Sequence, residues 1–521
     1  MPERLIENVF ELLEARVGRA PDKEFLIVES DGRIFTYRQF QDAVDRAAST
    51  LLSLGTKRGD RVSLLLTNRA EYLIFYFACF KLGAWAGPVN SLLKPNEIEF
   101  IVSNSEASVA VTETYLLSRL DQKRKRVPSL RAIVVIEASG QWSVIDSNSE
   151  QIRINEPPAS VHRPPASGDE AVIIYTSGTT GKPKGVLLTH GNLLSNASQI
   201  AEWLALTEED RALMIMPLFH VNALMATGLA VLWAGGSIVL CSRFSATGLW
   251  ETVTKFGVTY FGSVATMLSM LNQAHPNGLP EGLDTSRFRF GLCGSAPVPL
   301  SVLEAFESLF HFPVIEGYGL SESTCRSTFN PIDERRRVGS VGLPIGNEVR
   351  VFDDNDRPLG PNQVGEIVLR GPNIMKGYYK NDDATREAFR SGWFHTGDLG
   401  YRDADGFFYL VDRKSDLIIR GGENIYPREI DEVLYQHPKV SDAATVGVPN
   451  ELYGEAVKSF VVLREGDSAA EEEIIDFCRE KLADFKCPET VQFVTDIPKG
   501  PTGKVLKREL TARSVKLKRE Q

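Results

Sequence analysis

A stretch rich in glycine, hydroxyl and lysine side chains has the residue types and the spacing of a phosphate-binding loop. It spans residues 175–185 and reads YTSGTTGKPKG. Its glycines let the backbone approach a ligand closely and its lysines supply positive charge. It is not a Walker A loop, since no Gly-Lys-[Ser/Thr] follows four residues after a glycine and Pro183 would disturb a helix start. A flexible surface loop is the alternative, and the residues expected to contact phosphate are Thr176, Ser177, Gly178, Thr179, Thr180 and Lys184.

The elements around this loop are predicted to alternate between strands and helices. A strand over residues 171–175 precedes the loop, and farther upstream a strand over 61–66, a helix over 70–82 and a strand over 86–89 follow one another. Such alternation is typical of α/β layering, in which ligands bind at the carboxyl ends of the strands. Later strands are predicted over residues 237–240, 258–261, 288–293 and 314–316.

The C-terminal part of the chain is predicted to be a separate, smaller body. Residues 154–170 are rich in proline and are expected to form an exposed connection, while residues 348–409 have the pattern of short strands and turns. Farther on we expect a helix from Pro427 to Tyr435, a strand over 457–463 and a helix from Ser468 to Ala483. The predicted class is α/β, with a large layered N-terminal domain over 1–412 (α/β sheets plus a small β-rich subdomain), a hinge over 413–416 and a small mobile α+β domain over 417–521.

Composition and charge exclude several classes of protein. The chain has 521 residues, 43% of them hydrophobic, which predicts a soluble globular protein rather than a disordered chain or a coiled coil. Its 58 Lys and Arg against 68 Asp and Glu give a net charge of −10, so no nucleic-acid partner is expected. The strongest apolar run, residues 73–80, is far shorter than the roughly 20 residues that cross a bilayer, so no integral membrane segment is expected.

Cysteine usage and the N-terminus predict a cytoplasmic location. The 6 cysteines lie far apart with no CxxC spacing, which favours reduced thiols over disulfides or a zinc site. Residues 1–10 include Glu3, Arg4 and Glu7 and have no apolar segment followed by a cleavage site, so secretion is not indicated. The expected quaternary state is a monomer or a homodimer.

The loop at 175–185 resembles the signature of the adenylate-forming superfamily, which includes acyl-CoA synthetases, firefly-luciferase-like enzymes and the adenylation domains of peptide synthetases. The match continues in order along most of the chain, so it is specific for the superfamily but does not identify the substrate. Within the superfamily, the sequence most resembles the fatty-acid–CoA ligases. The further matching segments are 217–220 (PLFH), 317–322 (GYGLSE), 392–398 (GWFHTGD), 412–416 (DRKSD), 421–427 (GGENIYP) and 501–504 (PTGK).

The resemblance implies an AMP-forming ligation in two steps. ATP activates a small-molecule carboxylic acid as acyl-AMP with release of pyrophosphate, and the acyl group then passes to CoA, so the implied cofactors are ATP, Mg²⁺ and coenzyme A as a co-substrate. Because the first step brings two anions together, the site needs cations and donors aimed at the α-phosphate. Two rival functions stay open: an amide synthetase or carrier-protein loader that uses the same acyl-adenylate, and a non-catalytic nucleotide-binding relative.

The resemblance also assigns the nucleotide site. Glu322 is similar to the family's Mg²⁺-binding glutamate, a hard oxygen ligand, and Tyr318 to the aromatic that stacks on adenine. Asp398 is similar to the ribose ligand, because a carboxylate can accept from both hydroxyls at once, and Arg413 would contact ribose or phosphate. A solvated glutamate, a packed core tyrosine and a turn-forming aspartate are the alternatives. The remaining implied contacts are Gly294, Ser295 and Ala296, which line the base and the substrate carboxylate, and Gly317, Gly319 and Ser321 of the GYGLSE segment.

Two further residues carry the chemistry that the resemblance implies. Lys504, in its Pro-Thr-Gly-Lys loop, would bridge the attacking carboxylate and the α-phosphate and offset the charge of the transition state. His220 would lie beside the carboxylate and move between the half-reactions; we do not expect a general base, since a thiol with a pKa near 8.5 already supplies some thiolate. An ordinary surface lysine and a hydrogen-bonded core histidine are the alternatives.

The second half-reaction is expected to need a rotated C-terminal domain. Gly421 and Gly422 resemble the strip that faces the pantetheine tunnel, where backbone without side chains leaves room for a narrow thiol arm. Ser415 stands at the hinge position, where relatives usually have Asp or Lys.

The acid pocket implied by the resemblance is lined by apolar or small residues. That lining favours a fatty or an aryl or cyclic acid over an amino acid. Arg326 leaves a dicarboxylic acid open, because a pocket-facing arginine would pair with a second carboxylate. The predicted lining residues are Val221, Phe261, Val264, Met267 and Gly291.

Overall fold

The computed structural model describes residues 6–121, 126–146, 151–152, 164–176, 183–294, 298–500 and 505–520. Within these ranges the strands form two nine-stranded sheets, one four-stranded sheet and one five-stranded sheet. Helices alternate with the strands of the two large sheets, which confirms the predicted α/β class with a large N-terminal body and a small C-terminal one.

The first large sheet has six parallel strands at its centre. They are short and buried on both faces, which suits their β-branched and aromatic residues. Their order across the sheet is Glu24–Val28, Ser237–Leu240, Arg211–Met214, Tyr260–Ser263, Phe290–Cys293 and Val314–Tyr318. The antiparallel strand Ile34–Thr36 extends one edge, and Thr328–Phe329 and Leu343–Pro344 extend the other.

The second large sheet holds the predicted phosphate loop. Glu170–Thr176 and Lys184–Thr189 pair as antiparallel strands, with Thr176 opposite Lys184, so the loop joins two strands rather than a strand and a helix. Residues 177–182 lie outside the described part of the chain. The other strands of this sheet are Gly377–Tyr378, Trp85–Pro88, Arg61–Leu65, Val109–Glu113, Ala132–Ile136, Trp142–Asp146 and Gln151–Ile152.

Two smaller sheets follow, separated by a single short helical turn. The four-stranded sheet is antiparallel and consists of Glu348–Phe352, Gly365–Arg370, Phe394–Arg402 and Phe408–Arg413. The turn Lys414–Asp416 leads into the five-stranded sheet of Ile418–Arg420, Glu423–Ile425, Val440–Asn450, Gly454–Leu463 and Thr490–Phe493. The large continuous core extends to Phe408, whereas the apolar clusters around the five-stranded sheet begin at Ile418.

The helices cover the sheets, and none among the described residues is long and apolar enough to cross a membrane. The α-helices are Val9–Arg19, Tyr37–Ser53, Ala70–Leu82, Pro95–Asn104, Leu117–Asp121, His190–Trp203, Val221–Leu224, Ala230–Ala234, Leu249–Phe256, Ala265–Ala274, Leu300–Phe310, Asp382–Ala388, Pro427–Tyr435, Glu471–Arg479 and Lys507–Glu520. A π-helical turn covers Met225–Leu229, and short 3₁₀ turns cover Ser321–Ser323, Arg390–Gly392, Lys414–Asp416 and Asp484–Lys486.

Most predicted elements are confirmed, and one helix is wrong at both ends. The helices Ala70–Leu82 and Pro427–Tyr435 have the predicted bounds. The helix expected over 468–483 instead covers Glu471–Arg479, with Ala470 at its N-cap position. Three glutamates fill its first turn, where negative charge meets the positive end of the helix dipole, and this outweighs the capping preference of Ser468.

Candidate active site

A cavity of about 590 Å³ lies between the first large sheet and the C-terminal body. One wall consists of residues that follow the carboxyl ends of three parallel strands, Val264, Gly294 and Gly319. The opposite wall belongs to the C-terminal body and includes Arg428, Tyr435, Asp442, Lys499, Val505 and Lys507. Carboxyl ends of parallel strands are the usual ligand site in such sheets, and the volume suits a small molecule.

The Asp398 carboxylate is held at this cavity by two protein donors. The Tyr318 hydroxyl donates to Asp398 Oδ2 at 2.7 Å, and Arg413 Nε lies 3.2 Å from Asp398 Oδ1. Burial and the neighbouring Asp398 charge raise the pKa of Tyr318 well above its usual value, so its proton stays in this hydrogen bond. Each carboxylate oxygen keeps a second lone pair, which fits the predicted contact with a ribose diol.

Glu322 occupies a similarly prepared position on the 3₁₀ turn Ser321–Ser323. The Tyr378 hydroxyl donates to Glu322 Oε1 at 3.0 Å, and Lys184 Nζ lies 5.0 Å from the centre of the Tyr378 ring. Loss of hydration raises the pKa of Glu322. A cation bound beside the carboxylate would oppose this shift and favour the ionised form. No cluster of three or more His, Cys, Asp or Glu suited to a metal occurs within the described ranges. A Mg²⁺ ion at Glu322 would therefore take further ligands from phosphate oxygens and water.

Glycine is required at two positions in the backbone strip that lines the cavity. A Cβ added to Gly294 would lie 2.9 Å from the Gly317 carbonyl oxygen and 2.5 Å from Arg326 Nη2. A Cβ added to Gly319 would lie 2.0 Å from the Cys325 carbonyl oxygen. Both approaches are shorter than van der Waals contact, so any side chain here would push the strip out of place.

His220 and two neighbours form a buried polar group next to this strip. His220 occupies the N-cap position of the short helix Val221–Leu224 without a side-chain capping hydrogen bond, and its ring centre lies 4.4 Å from that of Phe219. Burial lowers the pKa of His220 to about 4, so the ring is neutral at physiological pH. Within the described part of the chain, His220 Nε2, Asn222 Nδ2 and Arg326 Nε have no hydrogen-bond partner.

The structure brings together part of the predicted site. Gly294, Gly317, Tyr318, Gly319, Asp398 and Arg413 all line the cavity, as does Val264 of the predicted acid pocket. Ser177, Gly178, Thr179, Thr180, Ser295, Ala296 and Lys504 lie outside the described residues. The residues on either side of Lys504's loop, Lys499 and Val505, do line the cavity and pair with each other as an isolated bridge.

The other predicted pocket residues are placed elsewhere. Phe261 is fully buried, with its ring centre 5.3 Å from that of Phe288 and 6.5 Å from that of Trp250, so it packs in the aromatic core. A Cβ on Gly291 would lie 3.2 Å from the Phe261 ring, which makes this glycine a packing requirement of the same core. Val221 and Met267 are buried and are not among the cavity walls.

Gly421, Gly422 and Ser415 lie on exposed turns. Both glycines have positive φ, +58° and +91°, in the turn between Ile418–Arg420 and Glu423–Ile425, and this conformation favours glycine independently of any contact with a ligand. Ser415 is exposed, and its hydroxyl donates to Asp416 Oδ1 at 3.0 Å.

Sequence reasoning missed Tyr378 and Asp412. Asp412 accepts hydrogen bonds from the backbone N–H of Arg413 at 2.8 Å and of Arg428 at 2.9 Å, which ties the predicted hinge segment to the first turn of Pro427–Tyr435. The DRKSD segment contained Asp412, but its acceptor role depends on a residue that lies 16 positions away. No sequence signal singled out Tyr378.

Comparisons with known proteins agree with this geometry. Residues 13–379 match the model of the AMP-binding enzyme family, and residues 429–504 match its C-terminal domain. A sulfoacetate–CoA ligase from Cupriavidus necator is 36% identical and covers 97% of this chain and 98% of its own. An oxalate–CoA ligase from Arabidopsis thaliana is also 36% identical and covers 95% of this chain and 96% of its own.

Among solved structures, ATP-bound MatB from Rhodopseudomonas palustris superposes with a TM-score of 0.90 at 28% identity, covering 98% of this chain and 99% of that one. The apo form of the same protein gives 0.78 over the same coverage. The chain therefore belongs to the AMP-binding enzyme family, as the matched family models and the full-length relatives show. It is a member of the adenylate-forming superfamily and an AMP-forming acid–CoA ligase that uses ATP, Mg²⁺ and coenzyme A.

Proposed function

We propose that this chain joins a small carboxylic acid to coenzyme A through an acyl-adenylate formed in the cavity between its two bodies. The observation that carries the proposal is the meeting of the strand-end strip around Tyr318 with the C-terminal segments that flank Lys504. Those two groups of residues are separated by much of the chain, and adenylation needs them on opposite sides of one α-phosphate.

The nucleotide end of this site is proposed to be organised by Asp398 and Glu322. Asp398, positioned by Tyr318 and Arg413, accepts hydrogen bonds from the ribose hydroxyls. Glu322, positioned by Tyr378, holds Mg²⁺, which when bound neutralises phosphate charge. Thr176 and Lys184, as opposite residues at the base of a hairpin, hold both ends of the proposed phosphate loop.

Adenylation is proposed to depend on Lys504, whose ammonium would offset the negative charge shared by the carboxylate and the α-phosphate. The present arrangement suits this step, since Lys499 and Val505 face the nucleotide strip. The closer superposition on MatB with ATP than on MatB without it supports the same assignment.

Thioester formation is proposed to follow rotation of residues 417–521 about the hinge at 413–416, away from the body of residues 1–412. The hinge lies where one apolar core ends and the next begins, so rotation there disturbs little packing. Gly421 and Gly422 are exposed in the present arrangement, which leaves them free to reach the acyl carbon after rotation. The neutral His220 would then move aside to admit the thiol.

We further propose that the enzyme acts in the cytoplasm, as a monomer or a homodimer. The six cysteines are all buried and unpaired, which supports a reducing compartment.

The test of the adenylation role is Lys504→Ala. We expect acid-dependent pyrophosphate release to fall by at least about 100-fold, because the residue acts on charge that develops in the transition state. The matched control is Lys57→Ala, which removes an exposed lysine far along the chain and should retain normal release. Near-normal release by Lys504→Ala would contradict the role. Repeating the assay with CoA, with an amine and with a carrier protein identifies the acceptor.

A further inference from the structure

Arg326 is a buried cation without an acidic partner. Its exposed fraction is 2%, and within the described residues its guanidinium contacts the Asn222 amide and the Phe329 ring rather than a carboxylate. Its backbone is fixed on both sides: the N–H donates to Asn196 Oδ1 at 3.1 Å, and the carbonyl accepts from Asn196 Nδ2 at 2.7 Å and from Asn373 Nδ2 at 3.2 Å. A charge buried in this way is costly unless a partner of opposite charge reaches it.

The guanidinium of Arg326 faces the strip that lines the cavity. Arg326 Cζ lies 5.3 Å from the centre of the Phe329 ring, which supports one face of the guanidinium. Nη2 lies so close to Gly294 that a Cβ there would be 2.5 Å away, and Gly294 itself is a cavity wall. The guanidinium thus lies beside a residue of the cavity wall, and its described contacts are with Phe329 and Asn222 rather than with an acidic side chain.

Several polar nitrogens around Arg326 lack a good hydrogen-bond partner among the described residues. Arg326 Nη2 makes only a long contact of 3.5 Å with Asn222 Oδ1, and its Nε has no partner within the described residues. Asn222 Nδ2 and His220 Nε2, on the neighbouring segment, are likewise buried without a partner there. Native proteins rarely leave several buried polar nitrogens unpaired in one place, so the Arg326 guanidinium and the Asn222 amide are suited to an acceptor supplied from outside.

We propose that Arg326, together with Asn222, binds a second acidic group of the acid substrate, a carboxylate or a sulfonate, and so selects short acids with two anionic groups. This inference rests on the proposed ligase function and specifies its substrate. The substrate is short because the guanidinium lies directly beside Gly294, in the strip assigned to the reacting carboxylate. A substrate with one anionic group leaves Arg326 buried and unpaired, whereas a dianionic acid satisfies it, and this difference sets the preference.

The first test compares acids of matched length on the wild-type enzyme. One set is propionate, malonate and sulfoacetate, and the other is butyrate, succinate and 3-sulfopropionate, with acid-dependent pyrophosphate release as the measurement. We expect kcat/KM for a dianionic acid to exceed that for the matched monocarboxylic acid by about 10- to 150-fold, the value of charge-assisted hydrogen bonds. The carboxylate and sulfonate arms identify which acidic group is preferred. Equal or better use of the monocarboxylic acids would overturn the inference.

The second test changes the guanidinium and measures the same ratio of kcat/KM values. In Arg326→Gln the preference for the dianionic acid should fall towards one, and Arg326→Lys should retain part of it, since charge remains but the two-pronged geometry is lost. The matched control, Arg350→Gln, changes an exposed arginine of the four-stranded sheet and should retain the wild-type ratio. An unchanged ratio in a folded Arg326→Gln or Arg326→Lys variant would overturn the inference.

Different results would refute the ligase function and the role of Arg326 in substrate choice. Robust pyrophosphate release with monocarboxylic acids alone refutes the role of Arg326 and leaves the ligase function standing. Absence of release with every acid counts against both. If Arg326→Gln does not fold, as judged by thermal unfolding, Arg326→Lys and the wild-type comparison decide the question.

Discussion

At the scale of single residues, the proposed nucleotide end of the site contains two carboxylates that already accept a hydrogen bond from a tyrosine. Tyr318 donates to Asp398, and Tyr378 donates to Glu322. The resemblance predicted both carboxylates and Tyr318, because each lies within a contiguous motif. The two hydrogen bonds join residues 80 and 56 positions apart, a relation that no local pattern contains. Tyr378 therefore escaped the sequence analysis although it touches a predicted metal ligand.

Replacing Tyr378 by phenylalanine should weaken the use of Mg·ATP. The hydroxyl lowers the pKa of Glu322 by donating to its carboxylate, so its loss raises that pKa further and shifts the acid limb of the kcat/KM profile to higher pH. We expect kcat/KM for Mg·ATP near neutral pH to fall by about 10-fold, the value of one hydrogen bond to a charged group. The adjacent Tyr379, whose hydroxyl donates to the exposed Glu106 at 3.1 Å, gives the matched control Tyr379→Phe. An acid limb that stays in place in Tyr378→Phe would contradict this reading.

At the scale of elements, local chemistry determined the bounds of some helices and tertiary contacts determined others. Ala70–Leu82 was predictable because an apolar run ends at Gly83, which adopts the left-handed conformation that closes the helix. The strand expected over 258–261 begins instead at Tyr260, since pairing with Phe290–Cys293 sets its register. Composition predicted a phosphate loop over 175–185, but its position between two strands depends on pairing between Glu170–Thr176 and Lys184–Thr189.

The start of His190–Trp203 offers a test of element stability separate from catalysis. Thr189 and Asn192 form a capping box, and Asn192 Nδ2 also donates to the Pro372 and Ile374 carbonyls at 2.7 and 2.9 Å. Thr189→Ala should lower the free energy of unfolding by about 1 kcal/mol, because one helix N–H loses its acceptor. Thr189→Ser retains the hydroxyl and is the control. Equal stability of the alanine and serine variants in urea unfolding would refute the contribution of the cap.

At the scale of the whole molecule, the two bodies share a cavity but have separate apolar cores. The large core extends to Phe408 and the C-terminal clusters start at Ile418, with Lys414–Asp416 between them. Motif order predicted both bodies, and the hinge at 413–416 stays a prediction. It did not predict which arrangement the molecule adopts, because that depends on contacts such as Arg428 N–H to Asp412 Oδ2, which form only when the bodies are assembled.

Restricting backbone rotation at the proposed hinge should affect adenylation and thioester formation to different extents. Ser415→Pro restricts φ at the proposed pivot, so we expect it to impair thioester formation more than adenylation. Ser415→Ala, which leaves φ free, should retain both. Pyrophosphate release and acyl-CoA formation are measured on the same preparation, and equal loss of both in Ser415→Pro would count against a rotation about this residue.

The central claim is that an acyl-adenylate forms in the cavity and is then passed to CoA. The most direct measurement follows pyrophosphate release and thioester formation together, with ATP, Mg²⁺ and the matched acids, in the presence and absence of CoA. We predict that pyrophosphate release requires the acid and that addition of CoA yields AMP and the acyl-CoA in equal amounts. Release of pyrophosphate independent of any acid, or an acid-dependent reaction that yields no thioester with CoA, would contradict it.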